Sequence, residues 1–204
     1  VDAALDDRIG DILAALDRTG ERERTLVVVT GDNGLALGCH GLFGKQNLYE
    51  HSIRVPLLVA GPGLPCGIRD DRLCYLFDLF PTLCRWTGLS LPSSLEGVSL
   101  FDSRGAGSDP SRHVLYLVYR ESQRGVKTDR YKLIEYVVGG QRTMTQLFDL
   151  MEDPHEIRNR AEDPGLRKVL ASLRATLFQL RDEWGDRETR WGQQFWNGYE
   201  KTGE

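Results

Sequence analysis

The first nineteen residues repeat apolar side chains at helical spacing, with charged residues between them. The apolar positions are Val1, Leu5, Ile9, Ile12, Leu13 and Leu16. Together with Gly20, which favours a helix end, they predict an amphipathic helix over residues 1–19 that covers a sheet. The run TLVVVT at 25–30 follows, and such a run is typical of a strand buried on both faces of a parallel sheet. Helix, turn and buried strand indicate an α/β layer fold.

A second apolar strand is predicted at 55–60, where the chain then turns at Gly61-Pro62-Gly63. A helix is predicted at 78–87, with Pro81 near its first turn, where proline is tolerated. The following segment, 89–110, is rich in Gly, Ser and Pro, so we interpret it as a connection with a domain boundary near Gly105. This predicts two domains, residues 1–104 and residues 105–204.

The second domain is predicted to contain a small antiparallel sheet. Its four short strands are expected at 113–119, 124–128, 131–138 and 143–149. Gly139-Gly140 lies between the last two and favours a hairpin turn.

One long helix is predicted after this sheet. Asp163 is the expected N-cap and Pro164 the first helical residue. The apolar stripe that should pack on the sheet comprises Leu166, Leu170, Leu173, Leu177 and Leu180. The aromatic residues of the tail, Trp191, Phe195, Trp196 and Tyr199, show no clear periodicity. The tail is therefore interpreted either as a flap over the larger domain or as a poorly ordered end.

Composition and charge exclude several classes of protein. The formal net charge is -4, which gives no electrostatic reason to expect a nucleic-acid partner. No apolar run reaches the roughly 18 to 20 residues of a membrane-spanning helix, so we predict a soluble protein without a membrane span. The four cysteines, Cys39, Cys66, Cys74 and Cys84, form no CxxC pair and are expected to be buried thiols, although disulfides are not excluded. Localisation stays open between secreted or periplasmic and cytoplasmic.

Candidate chemistry is concentrated in the glycine-rich segment 31–44. It follows the C-terminal end of the first predicted strand, where open α/β sheets place ligands. Asp32 and Asn33 offer adjacent carboxylate and amide oxygens, the donors that hard cations such as calcium prefer. An isolated Asp-Asn-Gly is more often an ordinary turn, so the surrounding sequence decides between the two interpretations.

That surrounding sequence, TLVVVTGDNGLALGCHGLFGKQNLYEHSIRVPLLVAGPG at 25–63, closely resembles the sulfatase family of the alkaline-phosphatase-like superfamily. The resemblance continues through DLFPTLCRWTGLSLPSSLEGVSL, GVKTDRYKLIEY and QLFDLMEDPHEIRN, and it extends from Val1 to about Trp184. It implies a partial alkaline-phosphatase-like sheet-and-helix domain, followed by the small antiparallel sheet packed with one long helix. It also implies a sulfuric ester hydrolase represented by its C-terminal portion.

Carried over residue by residue, the resemblance assigns Asp32 and Asn33 as metal ligands and Lys45 as the lysine that contacts the sulfate. The implied cation is Ca²⁺, with Mg²⁺ or Mn²⁺ as alternatives. His40 is a further candidate, which either lines the substrate pocket or braces the loop. The family more often has an acidic residue where this chain has Cys39.

The nucleophile of the resembling family is a formylglycine, made from Cys or Ser within a C-x-P-S-R or S-x-P-S-R motif. No cysteine here begins such a motif. Residues 108–112 fit the serine form by letter, but they follow the metal motif, lack the next Thr-Gly and lead into a strand. We therefore expect the nucleophile and the other ligands in a missing N-terminal half. The isolated chain should be inactive, and it should need that half or an oligomer partner.

Alternative interpretations remain. The complete protein could instead hydrolyse phosphonate or phosphate esters, or the chain could be an inactive truncated product that acts only in folding or interaction. A metal loop formed by Asp149, Asp153, Glu156 and Asn159 is rejected, because the resembling family uses this stretch as a structural turn. His51, His113 and His155 are interpreted as packing or surface histidines. The identity of the ester is left open.

Overall fold

The computed structural model describes residues 2–101 and 112–201. In chain order the helices and strands are α1 (Asp2–Thr19), β1 (Val27–Thr30), β2 (Ala36–Leu37), β3 (Phe43–Gly44), α2 (Glu50–Ile53), β4 (Leu57–Ala60), α3 (Leu79–Thr87), β5 (Val114–Tyr119), β6 (Gln123–Thr128), β7 (Tyr131–Val138), β8 (Gln141–Asp149), α4 (Arg167–Glu183) and α5 (Arg190–Glu200).

These elements divide between two compact units. The strand-pair unit comprises Val1–Gly31, Pro56–Asp71 and Leu76–Pro110, and the meander unit comprises Asp32–Val55, Arg72–Tyr75 and Ser111–Glu204. Residues 32–55, which carry the predicted site, thus group with the C-terminal sheet and not with the residues that precede them. The boundary predicted near Gly105 and the motif-like residues 108–111 lie outside the described ranges.

In the strand-pair unit, the predicted first helix is confirmed as α1, and the first two strands as β1 and β4. The predicted parallel pairing is wrong for the described residues, because β1 and β4 pair antiparallel, with Val27 opposite Ala60 and Thr30 opposite Leu57. An apolar run does not specify the direction of the partner strand. The predicted burial on both faces is also wrong here, because no residue of β1 or β4 is buried. The stripe of α1 is poorly covered, since Leu5 is 61% exposed and Ile12 60%.

The helix predicted at 78–87 is confirmed as α3. A short 3-10 turn precedes it, and Gly88 ends it in the left-handed conformation (φ 74°) that glycine adopts at helix C-termini. The buried Asp78 carboxylate accepts a hydrogen bond from the Val98 amide (2.9 Å), and the Thr82 hydroxyl accepts one from the Leu100 amide (2.9 Å). The segment after α3 is therefore tied back onto it.

The meander unit is built on a four-stranded antiparallel sheet in the order β5-β6-β7-β8. The four predicted strands and their antiparallel pairing are confirmed, with strand ends that differ by at most two residues from the prediction. Gly139 and Gly140 form the turn between β7 and β8 with φ of 60° and 73°. Two consecutive positive φ values favour glycine, which explains why the sequence predicts this turn.

Both faces of the sheet are covered, because successive side chains of β7 pack into two different core clusters. Leu133 and Val137 belong to a core cluster that includes α4 and α5, whereas Ile134 belongs to a second cluster with Leu48 and Tyr49. The predicted C-terminal helix is confirmed: its whole leucine stripe packs in the first cluster. The side chain of the predicted N-cap Asp163 accepts a hydrogen bond from the Gly165 amide at 2.8 Å, and a 3-10 turn leads into α4.

Up to residue 201 the tail forms regular structure, so its interpretation as a poorly ordered end is wrong for the described residues. It forms α5, in which Phe195 and Trp196 are fully buried against the sheet-and-helix core of the meander unit. Trp191 is half-exposed and does not belong to the buried face of α5. The buried aromatic residues Phe195, Trp196 and Tyr199 span only about one helical turn. That stretch is too short for periodicity to identify a helix.

The acidic stretch after β8 makes local backbone bonds. The Asn159 side-chain oxygen accepts hydrogen bonds from the Leu147 and Ala161 amides, and the Asp153 carboxylate accepts one from the Arg158 amide. Asp149 is ion-paired to Arg130 at 2.7 Å. These contacts are those of the structural turn that was predicted.

The expected burial needs correction for three of the four cysteines. All four cysteines are thiols, but Cys39 and Cys66 are exposed and only Cys84 is buried. Hydropathy gives cysteine an interior preference that a short glycine-flanked turn, such as the one around Cys39, does not fulfil. Among the described residues, no helix is both long and apolar enough to span a membrane.

Candidate active site

The predicted site residues lie on one segment of the meander unit, residues 32–53, which we call the site loop. The Asp32 carboxylate accepts a hydrogen bond from the Asn33 amide through Oδ1 (2.9 Å), and its Oδ2 lies 4.0 Å from Lys45 Nζ. Both side chains are exposed, so their ion pair contributes less than about 1 kcal/mol to stability. The predicted ligand Asp32 and the predicted anion contact Lys45 therefore share one solvent-facing surface. Asn33 is adjacent and half-buried.

Gly34 fixes where Asp32 and Asn33 sit on the site loop. Its amide donates a hydrogen bond to the Ser52 carbonyl at 2.9 Å. A Cβ at this position would lie 2.0 Å from the His51 carbonyl oxygen, much closer than any real contact. Only glycine lets the loop approach α2 this closely, so the residue after the predicted ligands is constrained by packing.

A two-stranded hairpin returns the chain from Asp32 to Lys45. In it β2 and β3 pair antiparallel, with Ala36 opposite Gly44. This return explains how residues thirteen positions apart in sequence reach the same surface. Ala36 is fully buried, whereas its neighbour Leu37 and the facing Phe43 are exposed.

His40 lies at the tip of this hairpin in the left-handed conformation (φ 55°). Its ring stacks on the Tyr49 ring, with centroids 4.1 Å apart and planes 5° from parallel. The Tyr49 hydroxyl in turn lies 3.0 Å from the Gln146 side-chain oxygen on β8. These contacts supply the bracing role, and the role in a substrate pocket stays a prediction.

His51 was interpreted as a packing or surface histidine, and its ring centroid lies 5.5 Å from that of His40. Burial lowers the pKa of His51, and electrostatic interaction with the nearby His40 and Lys132 side chains lowers it further. The neutral imidazole is therefore favoured. Within residues 2–101 and 112–201, His51 Nε2 is buried without a hydrogen-bond partner.

Side chains from the sheet and from the turn after β8 hold the far end of the site loop. Gln123 Oε1 accepts from the Leu48 amide (3.2 Å), and Glu156 Oε2 accepts from the Glu50 amide (2.6 Å). Lys132, which is fully buried on β7, donates to the Leu48 carbonyl (3.1 Å). None of these three was among the predicted site residues. The one signal in the sequence is a lysine inside the apolar strand YKLIEY.

Burial alone would raise the pKa of Glu50, but the ammonium groups of Lys132 and Lys127 outweigh it and hold the pKa below its usual value. Glu50 is therefore ionised at neutral pH. Its carboxylate lies 2.6 Å from Lys132 Nζ and 2.7 Å from Lys127 Nζ. The charges beneath the site loop are thus paired with one another.

The oxygen donors on the surface of the site loop could fill only part of the coordination shell of a cation. Asp32 and Asn33 can supply two or three oxygens, whereas Ca²⁺ takes about six to eight. In the part of the chain that the structure describes, no group of three or more His, Cys, Asp or Glu side chains could hold a metal ion. A complete shell would need ligands from outside the described residues.

Comparison with known proteins identifies the family. Residues 38–183 match the family model described as N-sulphoglucosamine sulphohydrolase, C-terminal. The chain belongs to the sulfatases. Its matched region begins within the site loop and ends at the last residue of α4, so it contains Lys45 and the entire sheet.

Relatives of this sulfatase chain extend the match. Arylsulfatase K of Bos taurus is 32% identical over 171 residues, which cover 78% of the chain and 32% of the relative. A protein solved in complex with its substrate D-glucosamine-2-N,6-O-disulfate superimposes with a TM-score of 0.76 at 27% identity, covering 90% of the chain and 39% of that protein. The phosphonate monoester hydrolase of Agrobacterium radiobacter gives 0.78 at 26% identity, covering 89% and 40%.

These figures confirm the predicted resemblance and fold class. The chain spans about a third of the length of the curated relative, 32% of it.

Proposed function

We propose that this chain is the C-terminal portion of an enzyme that hydrolyses sulfate esters, and that Lys45 contacts the sulfate while Asp32 and Asn33 bind a divalent cation. The observation that carries the proposal is the 4.0 Å separation of Lys45 Nζ from Asp32 Oδ2 on an exposed surface. A cation held by Asp32 and the ammonium group of Lys45 would then be close enough to contact the same tetrahedral anion. Membership of the sulfatases supports the same reaction class.

The chemistry follows from charge. A sulfate monoester carries one negative charge, and fixed positive charge beside its oxygens stabilises the charge that develops as the ester bond breaks. The Lys45 ammonium supplies one such charge. Asp32 and Asn33 would hold a divalent cation, for which we propose Ca²⁺ with Mg²⁺ or Mn²⁺ as alternatives, and that cation would supply Lewis acidity. We propose that the formylglycine nucleophile and the remaining ligands come from outside these 204 residues.

The test is hydrolysis of 4-nitrophenyl sulfate by the full-length protein and its Lys45→Ala variant. Loss of one preorganised positive donor should lower kcat/KM about 10²- to 10³-fold, as for other groups that stabilise developing negative charge. Lys168→Ala, at an exposed position on α4, is the matched control and should retain wild-type activity. Activity of Lys45→Ala within threefold of wild type would remove Lys45 from the site.

Metal binding needs a separate measurement. Asp32→Asn should raise the Ca²⁺ concentration that gives half-maximal activity after treatment with a chelator, because it removes a charged oxygen donor. An unchanged calcium requirement would show that Asp32 is not a ligand.

Phosphonate ester hydrolysis is the second candidate, because the superposition on the Agrobacterium radiobacter phosphonate monoester hydrolase is as close as that on the disulfate-bound protein. Phosphonate monoesters are also tetrahedral monoanions, so the same charges suit them. A higher kcat/KM for 4-nitrophenyl phenylphosphonate than for 4-nitrophenyl sulfate would favour this candidate. Hydrolysis of neither ester would favour a module that acts only in folding or interaction.

A further inference from the structure

Lys132 presents an unusual combination of charge and burial. Its side chain is fully buried in the middle of the sheet, yet it makes three polar contacts. Its Nζ lies 2.7 Å from Glu156 Oε1, 2.6 Å from Glu50 Oε1 and 3.1 Å from the Leu48 carbonyl oxygen. A buried ammonium group is retained only where such partners offset the loss of its hydration.

The partners of Lys132 identify what this charge does. Two of its three contacts are to the site loop, and the third, Glu156, itself accepts a hydrogen bond from the Glu50 amide. Together with Gln123, which accepts from the Leu48 amide, Lys132 and Glu156 bind three backbone polar groups of the loop: the amide and carbonyl of Leu48 and the amide of Glu50. Residues 46–49 pair with no strand in the part of the chain that the structure describes, so these bonds take the place of regular secondary structure.

The same segment leads directly to Lys45. The Asn47 amide donates to the Lys45 carbonyl at 3.0 Å, and the Asn47 side chain accepts from the Tyr49 amide at 3.0 Å. Residues 45–49 thus form one tight turn whose C-terminal end is bound to the sheet. Fixing Leu48 and Glu50 therefore fixes the backbone from which the Lys45 side chain extends.

We propose that Lys132 and Glu156 are positioning residues that hold Lys45 in place for the sulfate. This inference rests on the proposed function, which assigns the sulfate contact to Lys45. The cluster is balanced in charge, with Lys127 and Lys132 opposite Glu50 and Glu156. Buried ion pairs of this kind add little net stability compared with apolar residues, so a role in fixing geometry explains why charges are used here.

The other face of β7 offers a matched control. Glu135 is also fully buried, but it points towards the helices, where it is ion-paired with Arg174 at 2.7 Å and accepts from the Tyr199 hydroxyl at 3.2 Å. Removing this pair should disturb the sheet without touching the site loop. Loss of stability alone and loss of positioning can then be separated.

The first test is amide hydrogen exchange on the full-length protein. The double variant Lys132→Met/Glu156→Gln removes one charge of each sign, so Lys127 and Glu50 stay paired. We expect the Glu50 amide, whose acceptor is the Glu156 carboxylate, to exchange at least about tenfold faster than in wild type. The Leu48 and Tyr49 amides should also exchange faster, because Lys132 no longer holds the Leu48 carbonyl. In Glu135→Gln/Arg174→Met these amides should keep their protection when both variants are compared at equal distance from their denaturation midpoints. Equal protection in both variants would overturn the proposal.

The second test is kinetic and separates positioning from general structural damage. The Lys132→Met/Glu156→Gln variant should lower kcat/KM for 4-nitrophenyl sulfate by about 10²-fold, the scale of a roughly 1 Å displacement in an active site. The same pair of substitutions in a Lys45→Ala background should cause little further loss, because groups that act through Lys45 are not additive with it. Full additivity would refute the proposal. If wild type does not hydrolyse the ester, the proposed function fails, and the exchange experiment alone still decides whether these residues hold the loop.

Discussion

Replacement of Gly34 by alanine should disturb the candidate site while leaving every predicted ligand in the sequence. The new Cβ would lie 2.0 Å from the His51 carbonyl oxygen and 2.9 Å from the carbonyl carbon. Both are backbone atoms, so no side-chain rotation can relieve the overlap. The chain must move at Gly34, at α2, or at both.

The size of that movement follows from the distance. Ordinary contacts at a Cβ begin near 3.4 Å, and real Cβ atoms essentially never approach within 3.0 Å. The loop must therefore shift by about 1 Å or more. That shift breaks the hydrogen bond from the Gly34 amide to the Ser52 carbonyl. Leaving that donor or acceptor unsatisfied should cost about 1–3 kcal/mol of unfolding free energy. A displacement of about 1 Å at Asp32 should also lower kcat/KM roughly 10²-fold.

Two measurements check this on the full-length protein: urea unfolding and the calcium dependence of 4-nitrophenyl sulfate hydrolysis. We expect Gly34→Ala to be less stable, less active and in need of more Ca²⁺. Gly10→Ala in α1 is the control, because no atom lies within 4 Å of its added Cβ. It should gain roughly 0.5–1 kcal/mol from better helix propensity. If Gly34→Ala matches wild type in stability and in activity, the close approach to α2 does not exist and the reasoning is wrong.

Three further outcomes concern the core of the meander unit. Asp186→Asn should lower the free energy of unfolding by about 3–5 kcal/mol, because it leaves the fully buried Arg124 guanidinium, 2.6 Å away, without its counter-charge. Urea unfolding followed by tryptophan fluorescence measures this, and the control variant Asp182→Asn, at an exposed position, should stay close to wild type. Burial raises the pKa of Asp186, but its bonds to Arg124, Trp196 and Tyr116 outweigh burial and hold that pKa below its usual value. The stabilisation should therefore be complete above about pH 4 and be lost as the pH falls through the lowered pKa, and Asp186→Asn should not show this part of the acid dependence. Leu177→Ala, at a fully buried core position, should cost about 2–5 kcal/mol, whereas a loss under 1 kcal/mol would show that α4 does not pack as described.

The C-terminal sheet and α4 could be predicted because their signals are local. Each strand is bounded by turn residues, the Gly139-Gly140 pair specifies its hairpin, and the leucine stripe has five members at regular spacing. Such patterns need no knowledge of distant partners. The candidate metal ligand Asp32 and the candidate sulfate contact Lys45 were identified for a different reason, through their match to a family motif, because a lone Asp-Asn-Gly indicates only a turn.

What escaped prediction depends on contacts between distant residues. The direction of β4 relative to β1 is decided by pairing and not by the apolar run itself. Burial of α5 depends on Asp186, whose side chain accepts hydrogen bonds from Trp196, ten residues later, and from Arg124, 62 residues earlier. In the sequence Asp186 is one acidic residue among many.

The geometry of the site loop depends on residues far from it in the sequence. Asp32, Asn33, His40 and Lys45 all fall within fourteen consecutive residues, and a motif comparison treats them as a self-sufficient unit. Yet the backbone that carries Lys45 is held by side chains 75 to 106 positions away along the chain, as the bonds from Leu48 to Gln123 and from Glu50 to Glu156 show. A chain that kept the motif but ended before β6 would retain the chemical groups of the site and lose the bonds that orient them. For this sulfatase chain, substitutions in the C-terminal sheet should therefore alter the properties of the site even where they lie far from it in sequence.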